Sequence, residues 1–99
     1  MVEHIGRKSG TKRQTPIMAF PQAGGFIVAL TYGSNADWVK NVTTANRCAL
    51  TYKKKHYRLD SPEIFSADPS TLPLPSYVKV ILKANRVHEF LRLSTEAAA

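Results

Sequence analysis

Phe26-Ile27-Val28-Ala29-Leu30-Thr31-Tyr32 is the run on which the fold turns. It is apolar at odd and even positions alike and rich in β-branched and aromatic residues. That composition predicts a central strand covered on both faces. Upstream, Pro21-Gln22-Ala23-Gly24-Gly25 reads as a turn. Arg13 to Phe20 reads as a second strand, with Pro16 marking an edge or bulged position. The two make a hairpin. Further back, Val2 to Ile5 is a short extended piece that runs straight into a loop, Gly6 to Gly10. Downstream, Gly33 breaks the strand. Ser34-Asn35-Ala36-Asp37 has the spacing of a capping box. A helix beginning near Ala36 then carries Trp38, Val39 and Val42 on one face and stops near Asn46, a residue that tolerates the left-handed conformation.

Beyond the helix, Cys48, Leu50 and Tyr52 alternate with polar or small neighbours. Lys53-Lys54-Lys55 reads as a hairpin tip, Tyr57 and Leu59 as its return strand, and Ile64 and Phe65 as an extension after Pro62. The proline-rich stretch Ser66 to Pro75 reads as a loop, partly flexible. Ser76 to Ala84 places Tyr77, Val80, Ile81 and Ala84 at helical spacing, and Asn85 can end that helix. His88 to Leu93 is either a last strand or more helix, and about 95–99 reads as a flexible tail. Antiparallel hairpins with two short helices predict a small barrel with helices at its rim.

A chain of 99 residues, 43% of them hydrophobic, is expected to form a single domain with one modest core. No apolar run approaches the ~20 residues of a membrane-spanning helix. The first residues lack the apolar core of a signal peptide. One cysteine excludes an internal disulfide and suits a reducing, cytoplasmic setting. The net charge of +7 predicts an anionic partner: nucleic acid, acidic lipid or a phosphorylated cofactor.

Gly6-Arg7-Lys8-Ser9-Gly10-Thr11-Lys12-Arg13-Gln14-Thr15-Pro16 narrows that choice. Glycines let backbone N–H groups turn toward a ligand, while Arg and Lys supply charge. The run has the chemistry of a phosphate loop, though not the Walker spacing. A solvated basic turn explains the same residues with no ligand. No catalytic or metal constellation stands out. Cys48 reads as core. His4, His56 and His88 lack ligand spacing and read as solvent-facing or packed. Asp37 reads as a helix-start residue. Trp38 suits both core packing and a pocket wall.

The basic loop, Arg13 and Pro16, the apolar hairpin ending in Tyr32-Gly33, and Asp37-Trp38-Val39-Lys40-Asn41-Val42 together resemble the deazaflavin-dependent nitroreductase family over roughly Ile5 to Leu93. The resemblance implies a split, FMN-binding-like antiparallel β-barrel and a hydride carried by the deazaflavin coenzyme F-420, with FMN as the alternative. It implies that Arg7, Lys8, Ser9, Gly10 and Arg13 hold the coenzyme's phosphate and acidic tail. By the same resemblance the ring lies along Pro16, Ile17 and Met18, and Thr31, Tyr32 and Trp38 shape the pocket. Members often carry a Tyr where Met18 stands and a Lys near Thr31 and Tyr32, so the organic acceptor (nitro, quinone or enone) stays open. Dimers are common among split-barrel flavoproteins, and a homodimer is expected. A second reading uses the charge with Tyr52 and Tyr57: a non-catalytic basic barrel that binds single-stranded nucleic acid. The ordered motif favours the first.

Overall fold

A computed structural model describes residues 1–31 and 33–95. Its elements are β1 (Val2–Ile5), β2 (Lys12–Thr15), β3 (Met18–Gln22), β4 (Gly25–Ala29), α1 (Asp37–Ala45), β5 (Arg47–Tyr52), β6 (Lys55–Ser66), a 3₁₀ turn at Pro69–Thr71, α2 (Ser76–Ala84) and β7 (Glu89–Thr95). All strand pairs are antiparallel, in one sheet ordered β2-β1-β5-β6-β7-β4-β3.

That order forces curvature. β2 and β3 are the two edges of the sheet, yet only Pro16 and Ile17 separate them in the chain. A flat sheet would hold them about 29 Å apart, six steps of ~4.8 Å. The link from Thr15 to Met18 spans at most about 11 Å. The sheet therefore curls until its edges meet at Pro16, which makes the expected split barrel. The single strand expected over Arg13 to Phe20 is thus two strands. Pro16 lacks an N–H and has a fixed φ, so the chain turns a corner there instead of continuing one ladder.

The decisive run behaves as its composition dictates. Every residue of β4 is buried. Phe26, Val28 and Leu30 join one core cluster with Val2, Trp38, Val39, Val42, Leu50, Leu59, Leu91 and Leu93. Ile27 and Ala29 join the other with Leu72, Leu74, Val78, Leu82, Val87 and Phe90. The period-2 alternation thus sends one parity toward α1 and the other toward α2 and its preceding loop. Gly25 is required where β4 meets β7, because a Cβ there would lie 1.9 Å from the Leu93 carbonyl oxygen.

Several local expectations shift. Pro21 and Gln22 belong to β3, and Ala23-Gly24 alone make the turn, with Gly24 at φ 80°. The strand ends at Ala29, and Thr31 sits exposed in the turn that follows. Lys53 and Lys54 both take positive φ (49° and 66°), the pattern of a type I′ hairpin turn built without glycine. The loop 66–75 is anchored at several points: Pro69, Leu72 and Leu74 are buried, and the Asp68 carboxylate accepts from the Ser70 N–H. Thr95, expected to open a flexible tail, is instead the last residue of β7; the rest of that expectation, residues 96–99, lies outside the described residues. α2 spans the expected residues but with its apolar faces exchanged. Val78 and Leu82 are buried, whereas Tyr77, Val80 and Ile81 point outward.

Candidate functional site

β1 and β2 carry the basic loop between them. The Gly6 N–H donates to the Thr11 carbonyl and the Gly10 N–H to the Gly6 carbonyl, closing the loop as a tight hairpin. Gly6 is buried, and a Cβ there would meet Ser9 Oγ at 2.7 Å and Arg13 Nε at 3.3 Å. Its missing side chain is what allows the hydroxyl and the guanidinium to close over the backbone. Gly10 takes φ 70°, which L-residues with a Cβ resist. The Thr11 N–H donates to Ser9 Oγ, leaving the hydroxyl proton available to a ligand.

The loop opens onto a cleft of about 480 Å³ lined by Arg7, Lys8, Ser9, Arg13, Trp38 and Asn41, with His4, Asp37 and Thr15 also on its wall. That volume is within the range of small-molecule sites. A larger hollow of about 750 Å³ lies beyond Ile5, but Glu3 and Asp60 alternate there with Lys12, Arg47 and Arg58. Mixed charge suits an anion less well than the cation-rich cleft.

Arg7 is tied to α1. Its backbone N–H and its Nη1 both donate to Asn41 Oδ1, at 3.1 and 2.9 Å, and its Nη2 lies 3.5 Å from Asp37 Oδ1. Asp37 and Asn41 are four residues apart and so share one face of the helix. Asp37 is therefore a partner of Arg7 and not half of a capping box. The N-cap is Ala36, with no side-chain cap bond, which places Asp37 too early in the helix for the Ser34 pattern to close. The helix does end at Asn46 in the left-handed conformation, φ 59°. Lys8 and Arg13 have no salt-bridge partner among the described residues.

Behind the loop lies a group the sequence reading missed. His4 is 5% and Asn41 4% exposed, the two buried polar side chains among the described residues. Asn41 Nδ2 is 3.0 Å from His4 Nδ1, and His4 Nε2 is 3.0 Å from Thr15 Oγ1. Burial, and then the charge of Arg13 across the strand pair, hold the His4 imidazole below its ordinary value. A signal was present: Asn41 falls among Trp38, Val39 and Val42, a polar residue within the buried stripe of α1.

The structure thus gathers Arg7, Lys8, Ser9, Arg13 and Trp38 around one cleft, with Gly10 closing the loop. Trp38 also belongs to the core, so it packs and lines at once. Pro16, Ile17, Met18 and Thr31 do not line this cleft. Ile17 packs against the core, while Pro16 and Met18 are exposed at the barrel corner. Tyr32 lies outside the described residues. Cys48 is buried and burial pushes its thiol up to about 12, which makes it core and no nucleophile. Tyr52 and Tyr57 are half-buried, each edge-on to Phe26 with ring centres 5.4 and 5.0 Å apart. They pack against the core cluster, so part of their ring surface is already engaged within the fold. No described helix is long and apolar enough to cross a membrane.

A family model described as F420H(2)-dependent quinone reductase matches residues 1–80. No curated protein matches the chain.

Proposed function

As the chain belongs to the F420H(2)-dependent quinone reductase family, a deazaflavin-dependent oxidoreductase family, we propose that it passes a hydride from reduced coenzyme F-420 to a quinone. In this reading Lys8, Ser9, Gly10 and Arg13 hold the phosphate and acidic tail, and Arg7 fixes the loop and adds charge. The coenzyme supplies the hydride chemistry, so no acid or nucleophile is required of the protein. Its residues bind, orient and exclude water. Trp38 forms one wall of the cleft, and Pro16, Ile17, Met18, Thr31 and Tyr32 remain candidates for the ring and acceptor side. The single observation that carries the reading is the convergence of two cations without an ion-pair partner among the described residues, and a serine hydroxyl, on a cradle that the absent Cβ of Gly6 makes possible. That donor set fits a phosphate.

Titration of coenzyme F-420 by absorbance into wild type, Lys8→Ala and Arg13→Ala at two salt concentrations tests the site. Loss of one charged partner should weaken binding by about 1.5–3 kcal/mol, roughly tenfold to a hundredfold, and the gap should narrow in high salt. Equal binding by wild type and both variants would remove the assignment. Oxidation of the reduced coenzyme by a soluble naphthoquinone, followed at the same wavelength, tests the acceptor class.

A homodimer belongs to the same proposal. Tyr77, Val80 and Ile81 stand 70%, 68% and 48% exposed on α2, an apolar stripe that a second copy would cover. Sedimentation of wild type and Val80→Glu at micromolar concentration checks it: dimer for the first, monomer for the second. A cytoplasmic location, on the strength of the single buried thiol, completes the reading.

A further inference from the structure

His4 lies behind the basic loop, and none of the chemistry proposed above uses it. Its hydrogen bonds leave no freedom of assignment. The Arg7 backbone N–H and Nη1 can only donate, so the Asn41 atom facing both must be the amide oxygen. The amide NH₂ therefore faces His4, and Nδ1 of the ring must present a lone pair. The ring proton then sits on Nε2 and is donated to Thr15 Oγ1. One chain of bonds, Thr15–His4–Asn41–Arg7, runs from β2 through β1 and α1 into the loop, and its direction is fixed at every step.

We infer that His4, acting through Asn41, is a positioning residue for the anion loop: its unprotonated Nδ1 holds the Asn41 amide in the one orientation that serves both Arg7 donors. A proton on Nδ1 would set a second donor against the Asn41 NH₂. The amide must then turn over or withdraw, and in either case Arg7 loses its acceptor. The titratable and charged groups that share a cavity wall with His4 are Arg7, Lys8, Arg13 and Asp37 on the cleft side, and Glu3, Lys12, Arg47, Cys48, Arg58 and Asp60 on the side of the larger hollow. Arg13, the cross-strand partner of His4, is a cation that opposes protonation, and with burial it accounts for the depressed value of the ring. The consequence for coenzyme binding rests on reading the loop as the coenzyme's anion site.

The geometry gives the pH effect a sign opposite to that of simple charge. An added proton near an anion site would strengthen binding by Coulomb attraction alone. The bond pattern requires that it weaken binding. Coenzyme F-420 affinity is measured between pH 7.5 and 5 for wild type, His4→Leu and His4→Asn. Wild type should weaken by about tenfold, the scale of one lost charge-assisted hydrogen bond. His4→Leu removes the acceptor and should bind weakly at both pH values. His4→Asn offers an untitratable oxygen in the Nδ1 position, and should recover affinity and lose the pH step. Nitrogen-15 NMR of the full chain is the second arm, independent of coenzyme. It should show the Nε2–H tautomer in wild type, a proton on Nδ1 in Asn41→Asp, and Arg7 amide and Nε signals that titrate with His4.

An Nδ1–H tautomer in wild type, binding that strengthens on acidification, or Arg7 signals indifferent to His4 would each overturn the inference. If wild type fails to bind the coenzyme while the Arg7 signals follow His4, the proposed function falls and the positioning role stands.

Discussion

Replacing Asn41 with alanine should destabilise the whole domain, and the loss can be worked from its contacts. Asn41 is 4% exposed and makes three hydrogen bonds. The bond from the Arg7 backbone N–H contributes about 1 kcal/mol. The charge-assisted bond from Nη1 would contribute about 1.5–3 kcal/mol when fully buried. The Arg7 side chain is 26% exposed, so water replaces part of it and roughly 1 kcal/mol remains. The buried His4 Nδ1 loses its only donor, and stranding it costs about 1–3 kcal/mol. Alanine returns about 0.5 kcal/mol of helix propensity. The net loss is about 3.5 kcal/mol, against a total stability of about 5–15 kcal/mol for a domain of this size. Thermal unfolding followed by circular dichroism should show a fall in Tm of roughly 14–28 °C. Thr43→Ala on the exposed side of the same helix, which removes only a solvent-facing bond to the Lys40 carbonyl, should stay within about 0.5 kcal/mol of wild type. Equal stabilities for the two variants would show that the buried chain of bonds holds nothing in place.

Acid should act on the same group. The folded His4 is held below 6.5, so the unfolded chain takes up its proton first. Stability is full above about pH 6.5 and falls as the pH drops below it, until the folded ring protonates too; urea midpoints across this window check the slope, which His4→Asn should flatten. Cys48, with its thiol near 12, should react with a thiol reagent at pH 8 only as fast as the protein unfolds, and rapid labelling of the native chain would contradict its place in the core. Two glycine substitutions should differ sharply. Gly25→Ala drives a Cβ into the Leu93 carbonyl and should yield no folded protein, whereas Gly10→Ala meets nothing within 4 Å and should lose only about 1 kcal/mol to its positive φ; soluble expression and melting curves compare them.

Much of the fold was legible because local chemistry and tertiary packing agree. The apolar run at β4, the left-handed Asn46 and the cationic loop each carry their reason within a few residues. What escaped depends on partners distant in sequence. Nothing near Arg13 to Phe20 reveals that its halves lie at opposite edges of one sheet, because strand order is set by pairings across the whole chain. On α2 a stripe through Tyr77, Val80 and Ile81 and another through Val78 and Leu82 are both apolar, so spacing identifies the helix but not its inner face. His4 and Asn41 are 37 positions apart, and only their shared burial makes them partners. Asp37 fits a local pattern that loses to a distant one, the guanidinium of Arg7.

The corner at Pro16 leaves two strands with unsatisfied backbone groups along one side, and such rims invite pairing with another molecule. β3 discourages this with Pro21, and β2 with the adjacent cations Lys12 and Arg13. With the loop read as the anion site proposed above, Arg13 serves twice, drawing in an anion and repelling the strands of its own kind. On that reading colloidal stability and ligand affinity are tied to one side chain. A substitution that neutralises it for a binding assay also strips protection from the rim, so β-rich aggregate would build up in the very preparation meant to measure affinity.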